Sequence, residues 1–202
     1  MFGVCLLNDW SARDVQGWEA TPLGPFLAKN FLTTVSPWIV TMEALAPFRC
    51  PVRRDAGDPP PPPYLVPTAG NDSGALSLAV EVWIETPKSR GQAMRLSRSN
   101  SRHGYWSFVQ MVTHHTENGC NLNPGDLIGT GTLSGPTDDE KGCIMEITLA
   151  GRQPVTLANG ETRAMLQDGD TITVRAWGER EGFARIGFGD CRGTVLPARE
   201  RH

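Results

Sequence analysis

The chain has 202 residues, is 39% hydrophobic and carries a formal net charge of −3. That is enough for one domain with its own core, and it lacks the basic excess that nucleic acid or an anionic membrane would call for. Its longest apolar stretches fall short of the roughly 18 residues a membrane helix needs. The opening MFGVCLLNDW has neither the basic region nor the small-residue cleavage site of a signal peptide.

In chain order, that opening reads as a strand. Residues 55–63, DAGDPPPPP, predict a surface loop in polyproline conformation, with an SH3 or WW ligand as the sharper alternative. The clearest strand is Leu76 to Thr86, where Leu76, Leu78, Val80, Val82 and Ile84 alternate with other residues. Arg102 to Gly119 predicts a helix. Its Tyr105, Phe108, Val112 and His115 share a face, and Gly119 suits the C-terminal cap. From Cys143 onward CIMEITLAG, PVTLANG, DTITVRAWG and FARIGFGDCRGTVLP read as short β runs, and Asn159-Gly160 and Asp168-Gly169 read as hairpin turns. No repeat and no second domain is visible. The expectation is a single domain over 1–202, mainly β with one or two helices.

Five cysteines, Cys5, Cys50, Cys120, Cys143 and Cys191, are scattered without a CxxC pair. Such a set suits small buried thiols in a reducing, cytoplasm-like compartment.

The densest chemistry lies in NDWSARDVQGWEATPLGPFLAKNFLTTVSPW, where carboxylates, Arg13, Gln16 and Lys29 alternate with apolar groups. Buried charges are costly unless paired or bound to something, so this density points to a site. Asp9 suits a hard cation such as Mg²⁺ or Ca²⁺, which prefer oxygen ligands. One carboxylate is not a metal site, however, and a salt bridge from Asp9 to Arg13 is the simpler alternative. Arg13, Gln16 and Lys29 could together donate hydrogen bonds to a developing oxyanion; singly, each reads as an ordinary ion pair or cap. The stretch NPGDLIGTGTLSGP, 123–136, could turn backbone amides toward an anion, or simply be a turn between strands. It has neither the P-loop GK[ST] nor the dinucleotide glycine spacing. His114 and His115 are neighbours about 100° apart on a helix and cannot easily share one ion.

The first of these runs resembles the fumarylacetoacetate hydrolase family. So do THHTENGCNLNPGDLIGTGTLSGP, and LANGETRAMLQDGDTITV with RIGFGDCRGTVLPA. The likeness spans nearly the whole chain and is weakest in the proline-rich loop and in 87–104. The PLGPFLxKxFxTTVSPW and THHxxNGCNLxPGDL blocks point to the branch that acts on 4-fumarylacetoacetate.

The resemblance implies a mixed β-sandwich roll, a homodimer and a bound Mg²⁺ or Ca²⁺. It also implies hydrolysis of a small dicarboxylic diketo acid, 4-fumarylacetoacetate, to fumarate and acetoacetate in tyrosine and phenylalanine breakdown. By matching motif, Asp9 is a metal ligand, with Lys29 and Thr33 in supporting contact with the ion. Arg13 and Gln16 bind substrate and stabilise the oxyanion, Lys29 supports the same charge, and Thr132 contacts substrate. Glu146 orients a water-activating histidine. Where the family usually has tyrosine after WE, this chain has Ala20. The family's small N-terminal barrel, three further carboxylate ligands and that histidine fall upstream of NDWSARD. None of His103, His114, His115 and His202 lies in a motif matching that histidine. The chain is therefore expected to be a fragment that hydrolyses poorly by itself, since a missing base costs on the order of 10²–10⁴ in rate. The alternatives are a catalytically dead chain that only dimerises or binds small anions, and an acylpyruvate-type hydrolase or decarboxylase.

Overall fold

The computed structural model describes residues 1–67 and 74–199. Two short antiparallel pairs open the chain: β1 (Gly3–Val4) with β4 (Val40–Thr41), and β2 (Leu7–Asp9) with β3 (Thr33–Val35). Helix α1 (Arg13–Glu19) lies in the connection between β2 and β3. A third pair, β5 (Arg49–Cys50) with β6 (Ala75–Leu76), leads into the main sheet.

That sheet is built on β7 (Ala79–Glu85) and β11 (Thr171–Gly178), paired antiparallel over seven residues, with β8 (Met94–Asn100) on the far side of β7. The free edge of β11 is shared by β12 (Ile186–Gly187) at one end and β13 (Cys191–Thr194) at the other. Side chains alternate across a strand, which is why the apolar alternation around Val80 settles this sheet. Leu78, Val80, Val82 and Ile84 face the core with Ile172, Val174 and Ala176. Glu81 and Trp83 take the other face, where Arg95 lies 3.1 Å from Glu81 and the Trp83 indole donates to the same carboxylate. Two apolar clusters result, one around Leu45, Phe48, Leu76 and Phe188, the other around Trp10, Ile84, Leu157 and Ile172. Each such side chain contributes about 1.5–3 kcal/mol by leaving water.

The mainly β expectation holds, and three details differ from it. The predicted helix at Arg102–Gly119 begins later. Residues 101–103 form a 3₁₀ turn, and α2 spans Phe108–Thr116 behind a Ser107–Gln110 capping box. Tyr105 therefore precedes the helix and His115 is exposed, while Phe108 packs on the core and Gln110 is buried, donating to the Leu65 carbonyl. The CIMEITLAG run is no strand: Ile144–Ile147 form a single helical turn, α3. Its alternation is too short to recruit a pairing partner, and the Ile147 and Thr148 amides bond back to Cys143 and Ile144.

Asn159-Gly160 does close a hairpin between β9 (Val155–Thr156) and β10 (Thr162–Arg163), with Gly160 at φ 84°. Asp168-Gly169 is a turn but joins no paired strands. Gly169 is at φ 88°, and a Cβ there would meet the Pro87 ring at 2.6 Å. What fixes this corner is Asp170, which accepts two bonds from the Arg163 guanidinium at 2.8 and 2.9 Å and one from the Gln167 amide. The proline-rich stretch has no regular structure until a 3₁₀ turn at Pro63–Leu65, where buried Leu65 anchors it.

Candidate active site

The site's first wall is made by the residues on either side of Trp10. This indole is buried in the second cluster and donates to Thr34 Oγ1 at 3.2 Å. It packs so closely on β13 that a Cβ on Gly193 would stand 2.7 Å from the ring. With Trp10 pinned inward, the period of the strand turns Asp9 outward. There Lys29 Nζ reaches Asp9 Oδ2 at 2.6 Å and donates to Ser11 Oγ at 2.8 Å. Thr33 lies directly across from Asp9 in the β2–β3 register. The expected Asp9–Arg13 salt bridge is therefore not the pairing found. Arg13 begins α1 and turns its charge along the helix, donating from Nη1 to Gln16 Oε1 at 2.8 Å. Three residues apart on a helix is neighbour spacing, which accounts for the pair.

Ala20 caps α1, exposed, its amide bonded to the Gln16 carbonyl. Glu19 serves the scaffold: its carboxylate accepts the amides of Phe26, Leu27 and Ala28, holding the loop of 20–28 against α1.

A second wall comes from the glycine-rich loop. It does not turn between strands; it runs from α2 to α3. Ser99 Oγ on β8 donates to the Leu133 carbonyl at 2.8 Å and fastens it to the sheet. Ser134 Oγ then donates to Glu146, 2.7 Å from one carboxylate oxygen and 2.9 Å from the other, while accepting the Gly142 amide. The Cys143 thiol also reaches Glu146, at 3.5 Å. Glu146, on a one-turn helix, is thus fixed by a side chain 12 residues earlier. A cleft of about 350 Å³ opens here, lined by His103, Tyr105, Trp106, Thr132, Ser134 and Glu146.

Burial is the main influence on the Cys143 thiol and pushes it up, with the neighbouring Glu146 next in importance. Sequence reading named Asp9, Arg13, Gln16, Lys29, Thr33, Thr132 and Glu146. The fold groups the first five on one wall and the last two on the other. It missed Ser11 and Ser134, ordinary hydroxyls without a distinguishing pattern, and set His103 aside.

His114 and His115 take separate partners, Tyr64 Oη at 2.9 Å and the Cys120 thiol at 3.3 Å. Among the described residues no group of three or more His, Cys, Asp or Glu side chains could hold a metal. Mg²⁺ and Ca²⁺ take six or more oxygen ligands. The Asp9 carboxylate, with a lysine already on it and Thr33 opposite, does not amount to such a set.

Comparison with known proteins decides the family. The profile described as fumarylacetoacetate (FAA) hydrolase C-terminal matches residues 1–196. The chain belongs to this family. It is 48% identical to fumarylacetoacetase of Arabidopsis thaliana over 198 residues, which is 98% of the chain and 45% of that relative. It is 48% identical to the Dictyostelium discoideum fumarylacetoacetase, covering 100% of the chain and 46% of the relative, and 46% identical to the human one, covering 98% and 46%. The chain thus spans about half the length of the curated relatives it matches.

Proposed function

We propose that this chain is the C-terminal catalytic portion of a fumarylacetoacetase-type hydrolase, cleaving 4-fumarylacetoacetate to fumarate and acetoacetate in tyrosine and phenylalanine breakdown. The observation that carries this reading is Arg13 paired with Gln16 and Glu146 fixed by Ser134, in a chain whose relatives are named for that activity. Arg13 uses one guanidinium N–H on Gln16, which fixes the amide and leaves the remaining N–H groups of both side chains to meet an oxyanion. Lys29, on the same wall, adds a positive charge. Thr132 offers a hydroxyl to the substrate from the second wall. The Ser134 hydroxyl reaches both oxygens of Glu146 and orients the carboxylate, the condition for positioning an imidazole.

Asp9 is proposed as one ligand of a Mg²⁺ or Ca²⁺ ion whose remaining oxygen ligands these residues do not supply, with Lys29 and Thr33 in support. No step of the chemistry is routed through that ion here. The assay that tests the reading is release of fumarate and acetoacetate from fumarylacetoacetate, compared with acylpyruvates. Preference for acylpyruvates would overturn the substrate assignment.

A second observation supports a homodimer. Large apolar side chains stand in water from α1 through β3 and beyond, among them Trp18 at 86% and Leu23 at 80% exposure, with Leu27, Phe31, Trp38 and Ile39. Large apolar side chains exposed in such number mark an interaction surface, and the proposed occupant is a second copy. Sedimentation at micromolar concentration tests it, and a monomer would overturn it. The five cysteines, all free thiols, fit a reducing, cytoplasm-like setting. No helix among the described residues is long and apolar enough to cross a membrane.

A further inference from the structure

The proline-rich stretch is a feature of the sequence that the hydrolase reading leaves unused. Five consecutive prolines occupy residues 59–63, in the connection between β5 and β6. Each ring fixes its own φ near about −65°, and a following proline pushes the residue before it to extended ψ. Asp58 and the first four prolines all precede a proline, so covalent geometry alone favours a polyproline rod. Pro62 sits at φ −51° and ψ 147°. Such a rod needs no hydrogen bonds of its own, and five residues of it span about 15 Å.

Both ends of the rod are fastened. Before it, residues 55–58 close a turn: the Asp58 amide donates to the Asp55 carbonyl at 3.0 Å, and the Asp55 amide to Asp58 Oδ2 at 3.1 Å. After it, Leu65 is buried, its amide donating to the Pro62 carbonyl and its carbonyl accepting Gln110 Nε2 from α2, each at 2.9 Å. The Tyr64 hydroxyl bonds to His114 Nδ1 at 2.9 Å, and the two rings stack. With three residues per turn, Pro61 and Tyr64 share one edge of the rod, and Pro61 is partly buried. The other two edges, Pro59 with Pro62 and Pro60 with Pro63, are exposed. Among the described residues nothing donates to the carbonyls of Pro59, Pro60 or Pro61.

The outward rings stand in water and add nothing to the core. What they supply is a rigid apolar ridge with bare acceptors, already in the shape that a bound polyproline segment takes, so little ordering remains to be done on binding. The charges nearest the rod are the carboxylates of Asp55 and Asp58, preceded by the exposed Arg53. Arg54 is turned inward, its guanidinium over the Tyr105 and Trp106 rings at 4.6 and 4.2 Å.

We propose that residues 59–63 are a docking segment for a second protein, a domain whose groove is lined by Tyr and Trp rings and carries a basic residue at its rim. The rings of the groove stack on the two exposed edges, an indole or phenol donates to the free carbonyls, and the rim meets Asp55 and Asp58. Docking there is independent of the hydrolase reading.

The 202-residue chain is titrated into isotope-labelled WW and SH3 domains, small folds that read polyproline through such grooves. At least one is expected to saturate below about 1 mM, with shifts concentrated on its groove aromatics, and to bind more weakly as salt rises. Pro59→Ala combined with Pro62→Ala strips one exposed edge and is expected to weaken that complex at least about fivefold. Pro61→Ala, on the edge turned to the protein, is expected to cost less. The outward rings touch no core, so melting curves of the double variant should match the parent. A synthetic peptide of residues 55–66 should displace the chain whatever the variants do. Absence of saturable shifts in every domain, an undiminished complex after loss of the Pro59 and Pro62 rings, or a peptide that does not compete would each overturn the docking segment. A complex indifferent to salt and to Asp55→Asn would overturn the basic rim.

Discussion

The Arg163–Asp170 corner and the segment from Asp9 to Ile39 treat charge and apolar surface in opposite ways. At the corner both charges are buried, Asp170 wholly, and every bond they need comes from residues within nine positions. In the segment the key pair, Asp9 and Lys29, is 47% and 30% exposed, while Trp18, Trp38 and its leucines face water. One region is complete in itself. The other is held in shape by Trp10 and Glu19 yet leaves polar groups and apolar faces unused, which is what a site and an interface require of their residues.

The sharpest way to break this contrast is to attack the corner. Asp170→Ala strands the Arg163 guanidinium in the core, and an uncompensated buried charge costs about 3–5 kcal/mol. Urea unfolding is expected to show a loss of that order; a loss below about 1 kcal/mol would mean the corner relaxes and is not self-contained. Arg13→Ala should do the reverse, leaving unfolding within about 1 kcal/mol of the parent. Removing one oxyanion donor is expected to lower kcat by about 10²–10³, read on any diketo acid the chain turns over.

The apolar face comes next in size. Trp18→Lys touches nothing buried, so the melting curve of the monomer should hardly move. A central interface tryptophan is worth about 2 kcal/mol or more, and dimer dissociation should be weakened accordingly, measured by sedimentation over a concentration series. A smaller gain is expected from Ala20→Tyr. Position 20 is one turn beyond Gln16, on the same face of α1, and a regained hydroxyl contact to substrate is worth about 0.5–1.5 kcal/mol, appearing as a lower KM. Unchanged KM would show that this wall receives the substrate differently.

The smallest effect is in pH. The Thr86 hydroxyl holds the Glu161 carboxyl below the usual range, and the Arg175 guanidinium does the same for Asp190. A carboxyl with a depressed folded pKa contributes stability that is complete above its unfolded value of roughly 4. That contribution is lost as pH falls through the folded value. Melting temperature should therefore drop as pH falls below about 4. Replacing Thr86 with valine should flatten that drop, and an unchanged slope would place the acid sensitivity elsewhere.

Much of the fold was legible because it rests on local pattern. The alternation from Leu76 to Ile84 is strand-like whatever it pairs with, and Asn159-Gly160 turns because Gly160 tolerates positive φ. The NDWSARD and GTGTLSG runs supply residues to the two walls of the candidate site. Their internal bonding was less legible. Asp9 could have paired with the nearer Arg13, but α1 points that arginine along its own axis to Gln16, while the chain reversal at β3 returns Lys29 to Asp9. CIMEITLAG alternates like a strand, yet it folds as a helical turn closed by its own backbone, the Ile147 and Thr148 amides bonding back to Cys143 and Ile144.

By itself, then, the sequence determined the mainly β character, the principal strand, the sites of tight turning and the residue types available for chemistry, all of which depend on neighbours a few positions apart. Only the tertiary structure decided which of those residues meet. Ser134 against Glu146, and His103 beside Glu140, are separated by 12 and 37 positions. Contacts at that range are set by how strands and loops stack, since no local periodicity encodes the partner of a side chain that far along the chain.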